Sequence, residues 1–225
     1  MEITERTITL ADVKQNNRLK TYLDFGNTHL AAMGFTEHGQ RHAAVVSTIS
    51  ARILKELNYP ERFVELAAIA GWTHDIGNVI SRHNHGQTAA MIVMNTLEEM
   101  GMSLEDIATV SAAIGNHEEE YGQAVNDVAA ALIIADKSDV HRSRVRNRDF
   151  ATFDIHDRVN YAVNKSEVIV DAEARIITLR LSIDTNICPV MDYFEIFLTR
   201  MVMCRRAAER LQSKFSIFMN ESKLL

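Results

Sequence analysis

The stretch Pro60-Glu61-Arg62-Phe63-Val64-Glu65-Leu66-Ala67-Ala68-Ile69-Ala70-Gly71-Trp72-Thr73-His74-Asp75-Ile76-Gly77 governs how the rest of the chain reads. Proline suits the first turn of a helix, where its missing N–H costs nothing. Val64, Ala67, Ala68, Gly71 and Asp75 then recur at helical spacing along one side. The chain breaks around Gly77, so an apolar helix face ends on the pair His74-Asp75. An inward carboxylate needs a cation, because burying it unpaired costs several kcal/mol.

Working outward, a first helix is expected over Val13 to Met33, stopped before Gly34, and a second from about Glu37 to Leu57. On the second, His42, Val46, Ile49, Ile53 and Leu57 share a face. Downstream, helices are expected from about His85 to Met100, from a Ser103 cap to about His117, and from about Asn126 through Asp139. The last places Val128, Leu132, Ala135, Asp136 and Asp139 together, two more acids on a face that otherwise reads as core. Two prolines and nine glycines in 225 residues agree with a mostly α fold, a helical bundle.

The pattern changes after the basic run Arg142, Arg144, Arg146 and Arg148, which with Lys137 could grip a phosphate, although most of it reads as a solvated, charged helix end. Glu167–Val170 and Arg175–Leu181 are rich in β-branched residues and flank Asp171-Ala172-Glu173-Ala174, the signature of a β-hairpin. Beyond Pro189, a long amphipathic helix is expected to carry Phe194, Phe197, Leu198, Met201, Ala208, Leu211, Phe215 and Phe218 as a packing or homodimer stripe. The expected organisation is an N-terminal helix (1–36), a helical metal-binding domain (37–150) and an extension (151–225) in the same globule or at a dimer contact.

A net charge of −6 argues against non-specific nucleic-acid binding, which depends on many Lys and Arg contacts to phosphate. Cys188 and Cys204 form no close pair, which suits a reduced intracellular protein and no Cys-type zinc site. Met1–Arg6 is too acidic for a signal peptide and no segment is a charge-free membrane span, so a cytoplasmic protein is expected. No Gly-rich phosphate loop and no Ser-His-Asp or Cys-His pattern is present.

Imidazole and carboxylate together form a ligand set for divalent Mn, Fe, Co, Ni, Zn or Mg. His42-Ala43-Ala44-Val45-Val46, Trp72-Thr73-His74-Asp75-Ile76-Gly77 and Ala135-Asp136-Lys137-Ser138-Asp139, in that order, resemble the HD-domain metal-dependent phosphohydrolases. The resemblance covers roughly Glu37 to Arg148 and implies that His42, His74, Asp75 and Asp136 hold a metal. His85 and His117 sit where two-metal members of that family place further ligands, with Asp75 bridging. It further implies hydrolysis of a small phosphorylated substrate by metal-activated water, with Asp75, Lys137, His38 and Glu118 as the remaining catalytic candidates. A dioxygen-activating diiron branch and a non-catalytic signalling or scaffold protein share the same frame. His83 reads as a loop residue beside His85, and His29, His141 and His156 as structural or surface residues.

Overall fold

The computed structural model describes residues 7–225; the Met1–Arg6 reading lies outside them. Thr9 and Asp12 close a capping box over α1 (Leu10–Gln15). Asn16 then interrupts the expected Val13–Met33 helix: its side chain accepts the Leu19 N–H, and its extended backbone starts α2 (Asn17–Ala32). An asparagine that bonds its own following backbone favours a cap over a helix interior. Gly34 continues from α2 in the left-handed region at φ 83°.

α3 (Gln40–Glu56) and α4 (Glu61–Thr73) pack tightly together. Pro60 stands just outside α4, at its N-cap. Gly71 permits the close approach, since a Cβ there would meet Ser47 Cα at 2.6 Å. A 3₁₀ turn (Ile76–Val79) leads to α5 (His85–Glu99); Ser103 caps α6 (Leu104–Gly115) as expected, and Asn126, expected as the start of the next helix, caps α7 (Asp127–Ser138). α7 is the central rod: Val128 through Ala135 are all buried, and α3, α4, α6 and α9 surround it. Its four alanines at 129–131 and 135 let those neighbours come near the backbone.

Short 3₁₀ turns (Arg142–Arg144 and Phe150–Thr152) precede α8 (Ile155–Ala162), which runs into β1 (Val163–Asp171) and β2 (Ile176–Ile183). These strands are the expected antiparallel hairpin, with Val168 opposite Leu179. α9 (Val190–Arg210) is shorter than expected. Phe215 and Phe218 lie instead on β3 (Lys214–Met219), which pairs parallel with β2 and antiparallel with β4 (Ser222–Lys223). Gln212 at φ 54° turns the chain, and Arg175 donates to the Leu211 and Gln212 carbonyls left open at the end of α9. The apolar spacing that looked helical is thus split between a helix and a strand of a four-stranded sheet. No helix among the described residues is long and apolar enough to cross a membrane.

Candidate metal centre

Five helices and a 3₁₀ turn bring four imidazoles and two carboxylates together. His42 lies in the first turn of α3, His74 at the C-cap of α4, and Asp75 at the start of the 3₁₀ turn. His85 opens α5, His117 follows α6, and Asp136 lies in the last turn of α7. The four histidines and Asp75 are each at most 5% exposed.

Each ring has its Nδ1 against an acceptor: Asp139 Oδ2 for His42 (2.7 Å), Gly71 O for His74 (2.9 Å), Arg82 O for His85 (3.0 Å) and Ile114 O for His117 (2.6 Å). Nδ1 therefore carries the proton and donates, which leaves every Nε2 with a bare lone pair. These Nε2 atoms face one another, at 3.3 Å for His42 and His74 and 3.2 Å for His85 and His117. Carboxylate oxygens fill the remaining directions. Asp136 Oδ1 lies 3.2 Å from His42 Nε2 and 3.6 Å from His74 Nε2. Asp75 Oδ2 lies 3.5 and 3.4 Å from the same two nitrogens, while its Oδ1 is 3.2 Å from His85 Nε2.

Asp75 Oδ2 is buried and has no hydrogen-bond donor. Asn78 Nδ2 donates to Asp75 Oδ1 (3.1 Å) and Lys137 to Asp136 Oδ2 (2.6 Å), but Asp75 Oδ2 and the converging imidazole nitrogens form a buried acceptor set that fits a divalent metal. Two groups meet the spacing needed to share an ion: His42, His74 and Asp136, and His74, Asp75 and His117. His74 stands in both, midway between them.

The surroundings are strongly polarised. Burial pushes the Asp136 carboxyl up, but Lys137 and the His42 and His74 contacts outweigh it and hold it well below the usual carboxylate range. Burial, reinforced by Arg144, drives His38 well below its ordinary value, so its ring is neutral. His38 Nδ1–H donates to Thr36 O at 2.7 Å, and the ring lines the cleft over the cluster. Glu118 is engaged elsewhere, accepting from Gly86 N at 2.7 Å and lying 3.1 Å from His85 Nδ1. Lys137 is buried between Asp136 (2.6 Å) and Glu119 (3.1 Å). His83 and His29 are exposed; His141 caps the turn at Arg142–Arg144, and exposed His156 lines an adjoining cavity.

Sequence reading missed several groups. The run Arg142–Arg148 is not a solvated helix end: Arg142 stacks on Tyr161 at 5.2 Å, Arg146 bonds Asn27, and only Arg148 is exposed. Arg144 is buried, donates to Asp139 O (2.8 Å) and to Glu37 O, and reaches the cleft. Asp139 also receives the Arg41 fork at 2.8 and 3.3 Å. The sequence placed Asp139 on the apolar face of α7 and in the Ala135–Asp139 motif, but gave no sign of its partners Arg41 and Arg144. Arg82 and Arg200 line the same cleft, and Arg200 comes from α9, which no motif connects to the cluster.

No curated protein matches this chain. Residues 40–148 match the HD domain family, a span that holds all six converging side chains. An HD domain points to metal-dependent hydrolase chemistry, in agreement with a cluster able to hold metal. That match and this geometry together identify residues 40–148 as an HD domain within the chain.

Proposed function

We propose that the protein hydrolyses a phosphate monoester at a two-metal centre that His42, His74, Asp75, His85, His117 and Asp136 would hold. The observation that carries this reading is the cationic rim: Arg82, Lys137, Arg144 and Arg200 all line the cleft above that buried acceptor set. Guanidinium forks match phosphate oxygens, so the rim suits an anionic substrate held against the ions. Bound divalent ions would supply Lewis acidity and a water acidic enough to ionise near neutral pH.

The chain's own groups then have distinct tasks. Arg82 and Arg200 bind and orient the phosphate, while Arg144 and Asp139 hold His42 in the tautomer that exposes Nε2. Glu118 holds His85 in the same way. His38, with its Nδ1–H committed to Thr36 O and its ring lining the cleft, keeps Nε2 as a hydrogen-bond acceptor toward a bound substrate or water.

The test is a metal-stripped preparation assayed on a panel of phosphorylated metabolites, then reloaded with Mn, Co or Ni. Activity is expected only after reloading, and Asp75→Ala is expected to stay inactive with metal present. Full turnover in the stripped protein would exclude the mechanism.

A further inference from the structure

A cavity of about 360 Å³ opens beside the metal cleft, between residues 33–36, α8 and α9. His38, Arg82, Arg144 and Arg200 line both spaces, so the two meet at a ring of nitrogen-bearing groups. Two of the guanidinium groups are backed by phenyl rings: Arg82 lies over Phe35 at 5.5 Å and Arg200 over Phe197 at 4.4 Å. Arg82 has no carboxylate partner among the described residues; its contacts are Asn78 Oδ1 at 3.4 Å and His85 Nε2 at 3.5 Å. Arg200 commits its Nε to Glu119 at 2.7 Å, which leaves the terminal nitrogens of its fork for another acceptor.

Away from this junction the wall changes character. Met33, Phe35 and Phe197 give it an apolar stretch, and Asp154, Asp157 and Asn160 of the α8 segment bring acceptors to another side. Arg158 of the same helix is turned to Asp192 at 3.6 Å, so His156 is the basic group of α8 lining the cavity. Burial, with Asp154 beside it, pushes the Asp157 carboxyl above its ordinary range despite the Asn147 hydrogen bond and nearby His156. The volume lies in the range of pockets that enclose a small organic ligand.

We propose that this cavity is the leaving-group pocket, an inference that rests on the phosphoester reading above. It takes a phosphate monoester whose organic part is a single ring system bearing an N–H donor remote from the phosphate. The phosphate lies between Arg82 and Arg200, the ring runs along Phe35, and the donor meets Asp154 and Asp157. Because residues 33–36, α8 and α9 all fall outside residues 40–148, recognition of the organic part belongs to the segments flanking the HD domain on both sides.

Three non-hydrolysable probes test this by calorimetry on the metal-loaded protein: methylphosphonate, 4-ethylbenzylphosphonate and 4-(aminomethyl)benzylphosphonate. The ethyl probe is expected to bind more tightly than methylphosphonate, and the amino probe about tenfold more tightly than the ethyl, as a charge-assisted hydrogen bond provides. In the Asp154→Asn, Asp157→Asn double variant, where asparagine still caps α8, the amino-to-ethyl ratio should collapse toward one. Equal affinity for the amino and ethyl probes in the unaltered protein, or a ratio that survives in the variant, overturns the acceptor end. Benzyl probes that bind no better than methylphosphonate overturn the pocket and leave the phosphoester reading standing. Failure of all three to bind overturns both.

Discussion

Replacing Gly77 with alanine should damage the fold and the metal centre together. A Cβ built on Gly77 falls 2.0 Å from the His85 carbonyl oxygen and 2.6 Å from Ala89 N. Ordinary contact begins at 3.4 Å, so the start of α5 must retreat by about 1.4 Å, the difference between 3.4 and 2.0 Å. Both obstacles are backbone atoms and cannot rotate away. Such overpacking costs about 3 kcal/mol, which in a chain of this size lowers the melting temperature by roughly 6–12 °C. His85 moves with the backbone it belongs to. Its Nε2 is 3.2 Å from both Asp75 Oδ1 and His117 Nε2, and metal ligands tolerate errors of only about 0.2 Å, so the ion at that end should be lost. Thermal melting and elemental analysis of metal-loaded, desalted protein read the two effects. Gly115→Ala is the control, since a Cβ there meets only Ala90 Cβ at 3.6 Å and should be tolerated. A Gly77→Ala protein with unchanged melting temperature and metal content would refute the reasoning.

Changing His85 and His117 together to alanine should lower the metal content from about two ions per chain to about one, with rate falling more than phosphate affinity; a value near one in both proteins would show a mononuclear centre. Asp139→Asn removes the charge facing buried Arg144 and weakens the hold on His42, so stability should drop by about 3 kcal/mol and metal affinity by about 10–100-fold. Denaturant unfolding and chelator competition measure these separately, and no change in either would exclude the role given to Asp139. Burial, aided by Asp192, pushes the Cys188 thiol up to about 11, and burial pushes Cys204 up to about 12. The thiolate fraction at pH 8 is then about one in a thousand or less, so iodoacetamide should label neither cysteine until the protein is unfolded; rapid labelling of the native protein would contradict the packing.

The helical HD segment was legible from the chain alone because its information is local. A period of 3.6, with Ser103 as a cap, located α6 and α7 within a residue or two, since both signals act over one or two turns. The inward carboxylates Asp75 and Asp136 stood out for the same reason: each interrupts an apolar face that only a cation could complete. Local pattern failed where two structures share a spacing. Apolar positions 211, 215 and 218 continue a helical stripe, and only pairing with β2 decides that Phe215 and Phe218 belong to a strand. Asn16 likewise read as helix interior until its side chain was seen to cap α2.

Tertiary structure alone decided which charges meet. Arg200 lies 64 positions beyond Asp136 (200 − 136), on a helix that sequence reading treated as packing, yet it lines the metal cleft. Arg144, read as part of a solvated run, is buried because Asp139 and the Glu37 carbonyl accept its guanidinium. Secondary structure follows from a residue's near neighbours, whereas the cost of burying a guanidinium or a lone pair depends on partners that only the folded chain brings within about 3 Å.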